Sequence, residues 1–302
     1  MTTNTFKTWF ETARPKTLPL ALAIIFTGSA VAYWFNHFDW TITLLCLLTA
    51  TLLQILSNFA NDYGDFQKGS DTAERIGPLR GIQKGNMTAA QLKKGLIVTI
   101  VLILISGFAL LTVSYRSLQD LIVFIALGIA SIVAAIAYTV GKKPYGYLGL
   151  GDIFVFLFFG LLAVGGTYYL QAHNINRTVF LPAAACGLLS TAVLNINNMR
   201  DIEQDRKAGK HTLVVRLGAE KSRVYHCILL ALAVLCYGLF AAVNVPSAAG
   251  FLFVLAIPLL IKHTKYVCQN KDPVQLRPML AQMSLLALFT NVLFSLGLVI
   301  AK

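Results

Sequence analysis

The sequence predicts an all-α membrane protein with nine transmembrane helices. Two observations carry this. Of the 302 residues, 57% are hydrophobic and only 13% are charged, where a soluble domain has roughly a quarter of its residues charged. The apolar residues also fall into repeated stretches of about 20, the length that crosses a ~30 Å hydrocarbon core. The spans read as 18–36, 41–60, 92–114, 118–140, 148–170, 178–198, 223–243, 246–263 and 280–300. They form one domain over residues 1–302. The N-terminal stretch MTTNTFKTWFETARPKTLP lacks the short apolar core of a removable signal peptide. Glycine and serine within spans, as in LISGF and LGIAS, allow close helix packing in lipid.

Basic residues set the orientation. With nine crossings, 22 of the 25 lysines and arginines fall on the N-terminal side, and only Arg116, Arg177 and Lys302 on the other. Cytoplasmic loops carry this excess, so the N-terminus is expected in the cytoplasm and the C-terminus outside. The net charge of +12 then follows from topology and anionic lipid headgroups, with no nucleic acid as partner. The cysteines Cys46, Cys186, Cys227, Cys236 and Cys268 form no CxxC pair, so no zinc site is expected.

The thirteen acidic residues are distributed unevenly. Seven lie in two short windows, NDYGDFQKGSD (61–71) with Glu74 just beyond, and NNMRDIEQDRKAG (197–209). Each ends an even-numbered span and opens a long polar loop, a hint of duplication. Asn58, Asn61, Asp62 and Asp65 repeat at i, i+3, i+4, i+7 and share a helical face. Asn195, Asn198, Asp201 and Asp205 are expected near one face of the sixth span. Such windows can be plain helix ends meeting water. Two matching ones on the same side point further, because acids near membrane depth usually face a cavity. Their oxygens suit magnesium, which takes one or two carboxylates plus substrate phosphates. Two facing acidic walls would hold two Mg2+ ions around a diphosphate, with Asn61, Asp65, Asp71, Asn198, Asp201 and Asp205 as ligands and Asp62, Asp65, Asp201 and Asp205 as catalytic carboxylates.

Basic residues flank both windows. Lys68, Arg80 and Lys84 near the first, and Arg200, Arg206 and Lys210 near the second, are candidates for the diphosphate, as are the amides of Asn61 and Asn198. Each also obeys the positive-inside rule, which alone would place it there. Glycines 69, 77, 81 and 85 suggest a loop that turns tightly over the site. The segment YTVGKKPYGYLGLGD (138–152) adds Tyr138, Lys142, Lys143, Tyr145, Tyr147 and Asp152. Its tyrosines are either interfacial anchors or faces that stabilise a cation, and Asp152 could simply cap the fifth span. Tyr138 and Lys143 are taken as catalytic candidates, Tyr145 and Asp152 as acceptor-binding ones.

NDYGDFQKGSD and NNMRDIEQDRKAGKHTL resemble the two aspartate-rich motifs of the UbiA-type intramembrane prenyltransferases. In the usual NDxxDxxxD form, Asn61, Asp62 and Asp65 match, Gly69 takes the last acidic position and Asp71 follows two residues later. This shifted form, with RPKTLPL (14–20), GPLRGIQKG (77–85), YGYLGLGD (145–152) and TAVLNINNMRDIEQD (191–205), is similar to the bacterial branch that prenylates 1,4-dihydroxy-2-naphthoate. The resemblance implies nine helices around a central cavity under cytoplasmic cap loops. It also implies Mg-dependent loss of diphosphate from a polyprenyl diphosphate, attack by the aromatic acceptor, loss of carbon dioxide and release of demethylmenaquinone at a bacterial inner membrane. Another acceptor such as 4-hydroxybenzoate remains an alternative, and a cation-coupled transporter is the alternative from a different class.

Overall fold

The computed structural model describes residues 5–70 and 76–302, so the expected ligand Asp71 lies outside the described residues. Among these residues there is no strand, and nine helices are long and apolar enough to cross a membrane. The chain is a multi-pass membrane protein.

A short helix, α1 (Thr5–Ala13), precedes the first span, α2 (Leu18–Trp34). The next three spans are α3 (Trp40–Gln67), α4 (Ala89–Val113) and α5 (Leu118–Ala137). Asp39 caps α3 by accepting from the Ile42 amide at 2.8 Å, Thr88 and Gln91 form a reciprocal capping box on α4, and Ser117 caps α5. The fifth span, α6 (Gly151–Ala172), widens into a π-turn over Phe156–Leu162. There Gly160 of α6 and Gly187 of the following helix let the two backbones touch; a Cβ at either would collide with the other helix.

The sixth span is α7 (Phe180–Arg200). It is followed by two short helices, α8 (Ile202–Lys207) and α9 (Leu213–Leu217), then by the seventh span α10 (Ala219–Asn244). The eighth, α11 (Ala248–Gln269), begins with a 3-10 stretch, and α12 (Met279–Ala301) is the last. α7 is the most buried span and packs on α10; α2 packs on α12, and α5 is the least buried span, with one face lining the cavity described below.

The spans agree with the sequence, apart from α11 running to Gln269 where an end at residue 263 is expected, and three further differences bear on the site. α3 runs seven residues past the expected end at residue 60, so the first acidic window is itself helical up to Gln67. The α7 helix stops at Arg200 and Asp201 takes a non-helical conformation, so Asp205 belongs to α8 and not to a continued face of the sixth span. The helix α1 is new. Its residues are too few and too polar to register as a span.

A cavity of about 710 Å³ lies within the bundle, lined by residues of α2 to α7. Its walls are mostly aliphatic and aromatic. At one end they give way to Arg14, Asn58, Asn61, Arg80, Asn197 and Arg200.

Candidate active site

Both acidic windows end in the same turn. After Asp65 the chain passes through Gly69 (φ +63°), and the Ser70 amide returns to the Asp65 carbonyl at 3.1 Å. After Asp205 it passes through Gly209 (φ +69°), and the Lys210 amide returns to the Asp205 carbonyl at 2.8 Å. Glycine is suited to both positions because a Cβ is strained at positive φ. The second turn folds Lys210 back over its own window.

The Lys210 ammonium then bridges the two windows. It lies 3.0 Å from Asp65 Oδ1 and 3.6 Å from Asp205 Oδ1, with only 16% of its side chain exposed. Tyr147 closes the group. Its hydroxyl donates to Asp65 Oδ1 at 3.0 Å and lies 3.0 Å from the Ser70 hydroxyl, and Lys210 sits 4.7 Å above its ring. The backbone explains how Tyr147 arrives: the His211 amide donates to the Tyr147 carbonyl at 2.8 Å, and Arg216 donates to the Leu148 carbonyl at 2.8 Å. These bonds tie the loop before α6 to the segment after α8.

Burial pushes the Asp205 carboxyl up to about 7; Lys210 opposes the rise while Asp201 and Asp65 add to it. Burial alone would lower the Lys210 ammonium, but Asp65 and Asp205 outweigh it and hold the charge firmly above the ordinary lysine range. Burial, helped by Asp65, pushes the Tyr147 phenol up to about 12, so it remains a donor at neutral pH.

The other acids are also paired. Asp62 contacts Arg14, and Arg80 lies 2.8 Å from the same oxygen. Asp201 accepts from Arg200 Nε at 2.7 Å and Nη2 at 2.5 Å, and Arg200 also reaches Asn197 at 2.9 Å. Thr139, at the end of α5, donates to the Ala60 carbonyl at 2.9 Å and to Asn61 Oδ1 at 3.3 Å. Gly64 allows this docking, because a Cβ there would strike Thr139.

Tyr138 and Tyr145 both line the cavity. Tyr138 meets Tyr145 edge-on at 5.3 Å, Tyr145 stacks on Phe154 at 4.1 Å, and Phe158 follows at 6.0 Å. Burial raises the Tyr138 phenol well above its ordinary range, with Asp152, Asp205, Tyr145 and Asp65 adding to it.

Several expected residues lie elsewhere. Lys143 is exposed on its loop, and Arg206 is exposed and paired with Glu203 at 2.9 Å. Lys84 is paired with Glu11 at 3.0 Å, and Lys68 is exposed, 5.4 Å from the Tyr147 ring. Asp152 is buried beside Tyr225 and does not line the cavity. Asn198 is buried, while Asn195 turns away and donates to the Ser222 carbonyl at 3.0 Å. Conversely, Arg14, Phe154 and Phe158 join the site without having been singled out for it, and Tyr147, expected only as one of the tyrosines that anchor the interface or face a cation, joins it through its hydroxyl. The aromatic spacing in GDIFVFLFFG marks Phe154 and Phe158.

Among the described residues, no three His, Cys, Asp or Glu side chains converge as a ready ligand cluster. The donor set nevertheless suits a hard cation. Asp65 and Asp205, from different windows, already share one positive charge, that of Lys210.

The UbiA prenyltransferase family model matches residues 21–295. The chain belongs to the UbiA prenyltransferase family. It is 63% identical over 302 residues to the 1,4-dihydroxy-2-naphthoate octaprenyltransferase of Haemophilus influenzae, covering 99% of this chain and 98% of that protein. It is 56% identical to the protein of the same name from Escherichia coli, covering 97% and 96%. Among solved structures, the apo UbiA homologue of Aeropyrum pernix superposes with a TM-score of 0.67 at 15% identity, covering 95% and 98%. A homologue from Archaeoglobus fulgidus bound to DMAPP and Mg2+ superposes at 0.57 with 16% identity, covering 93% and 98%. These last two establish the shared fold.

Proposed function

We propose that the protein transfers a polyprenyl group from polyprenyl diphosphate to 1,4-dihydroxy-2-naphthoate, releasing diphosphate and carbon dioxide and yielding demethylmenaquinone. The observation that carries this reading is the convergence of Asp65 and Asp205 on one cation beside an apolar, aromatic-walled cavity. The names of the relatives at 63% and 56% identity support the naphthoate acceptor.

Mg2+ would be held by Asp62, Asp65, Asp201 and Asp205 with help from Asn61; bound, it would supply the charge that makes diphosphate a competent leaving group. Arg14, Arg80 and Arg200 stand at the polar end of the cavity, where guanidinium forks match phosphate oxygens. The apolar walls take the prenyl chain and keep water from the reacting carbon. Tyr138, Tyr145 and Phe154 present ring faces and edges to the allylic cation, and the raised Tyr138 phenol stays neutral.

The loops bearing the site face the cytoplasm in this reading, with the C-terminus outside, at a bacterial inner membrane. The basic asymmetry supports that orientation. The last residue, Lys302, contacts the Tyr33 carbonyl at the far end of α2 from α1, as an odd number of crossings requires. The test is a lipid mass spectrum. Proteoliposomes given one polyprenyl diphosphate and, separately, 1,4-dihydroxy-2-naphthoate or 4-hydroxybenzoate should form product only with the first. Product from 4-hydroxybenzoate alone would overturn the acceptor assignment.

A further inference from the structure

The helix α1 has two unlike faces. On one, Trp9 packs on Phe59 of α3 with ring centroids 5.5 Å apart and covers Gly95 of α4, where a Cβ would strike its ring. Thr8 and Thr12 on the same side are buried near Gly81 of the 77–85 loop. On the other face, Phe6 and Phe10 are 77% and 54% exposed and stack on each other at 6.3 Å. Two neighbouring exposed aromatic rings call for a partner.

Their depth identifies it. Phe59 and Gly95 lie at the loop-side ends of their apolar spans. Ile97 and Val98, next along α4, are exposed and face hydrocarbon. The Phe6–Phe10 pair therefore sits where hydrocarbon gives way to headgroups. Exposed Lys7, Lys16, Lys93 and Lys94 surround this level. The acid of α1, Glu11, is engaged by Lys84 at 3.0 Å. An apolar aromatic pair rimmed by lysines is the chemistry of a helix seated on anionic lipid.

The same helix holds the site. The Ala13 carbonyl accepts from Asn58 at 2.8 Å. Arg14 follows in a left-handed conformation (φ +52°) and contacts Asp62, the carboxylate that Arg80 shares. Glu11 ties α1 to Lys84 of the loop that carries Arg80. We infer that α1 is an interfacial strap: anionic phospholipid seats Phe6 and Phe10, and the seated helix holds Arg14 and the 77–85 loop on Asp62. The lipid contact stands independently of the proposed reaction; its consequence for the prenyl donor rests on it.

The test uses the full chain in vesicles of phosphatidylcholine alone and with about one-third phosphatidylglycerol, followed by hydrogen–deuterium exchange across α1. Anionic lipid should slow exchange there about tenfold, and high salt should reverse part of this. The double variant Phe6→Ser/Phe10→Ser should lose the slowing while α3 and α4 exchange as in the parent. Equal exchange of α1 in both lipids, or a double variant indistinguishable from the parent, overturns the strap. In the same vesicles the variant should raise the KM for polyprenyl diphosphate severalfold and leave the acceptor KM in place. A retained lipid effect with an unchanged donor KM overturns the link to Asp62. A parent protein without turnover on these substrates would refute the proposed reaction and leave the exchange result standing.

Discussion

Replacing Lys210 by methionine tests the centre of the site. The substitution keeps the length and apolar stem of the side chain and removes one charge that two buried carboxylates share, at 3.0 and 3.6 Å. At about 4 Å and an effective dielectric near 20, each attraction amounts to about 4 kcal/mol before desolvation is subtracted. A net charge-assisted contact is worth about 1.5–3 kcal/mol, which corresponds to a loss of about 10- to 100-fold in kcat/KM for the prenyl donor. The pH profile gives a second reading with a definite sign. Asp205 is already held near 7 by burial, and Lys210 is the group that opposes that rise. Without the ammonium the carboxyl must move further up. The acidic limb of kcat/KM at limiting Mg2+ should therefore lie near pH 7 in the parent and at least about one pH unit higher in Lys210→Met. The assay is prenylated naphthoquinone formed in proteoliposomes between about pH 5.5 and 9, a range spanning both limbs. Activity within twofold of the parent and an unmoved acidic limb would show that Lys210 bridges the windows without serving the reaction.

Asp65→Asn should lower kcat by at least about 100-fold while the thermal melt remains cooperative; near-parental turnover at limiting Mg2+ would remove Asp65 from the site. Arg80→Ala should raise the donor KM, lower kcat or both, for a loss of about 10- to 100-fold in kcat/KM, with little change for the acceptor, as its 2.8 Å contact with Asp62 at the polar end of the cavity requires. Lowering pH through 7 should weaken the apparent Mg2+ affinity, because the Asp205 carboxyl takes up a proton that a bound cation must displace; titration of Mg2+-dependent thermal stabilisation against pH measures this. A cysteine introduced at the exposed Leu79 should react with an impermeant thiol reagent only from the cytoplasmic side and one at Asn176 only from outside, and labelling of both from one side would break the nine-span orientation.

What the sequence makes legible here depends on whether the signal lies within one helix or between several. The spans could be read because hydrocarbon imposes one length and one composition on every crossing. The face formed by Asn61, Asp62 and Asp65 could be read because α3 continues unbroken through it, so helical spacing applies. The second window followed the same logic only as far as Arg200. Helical spacing then placed Asp201 and Asp205 on one face, whereas the chain breaks at Asp201 and restarts as α8. No periodicity encodes that break. Partner choice was less legible still. Arg206 and Lys210 look equivalent in the sequence, both basic and both close to Asp205. Arg206 points outward to Glu203 from the body of α8, while Gly209 reverses the chain and brings Lys210 inward to Asp65 across 145 residues of sequence. Tyr147 and Tyr145 are equally hard to separate by composition. The His211–Tyr147 backbone bond turns one toward the carboxylates, and the cavity wall receives the other. The glycine after each acid is the one local sign that could have distinguished these residues: Asp65 and Asp205 are each followed four positions later by a glycine at positive φ, and the residue after that glycine, Ser70 or Lys210, is the one returned to the carboxylate. The paired turns also give the duplication suggested by the two windows a structural form, since each half supplies an acid, a glycine reversal and a polar residue to the same point.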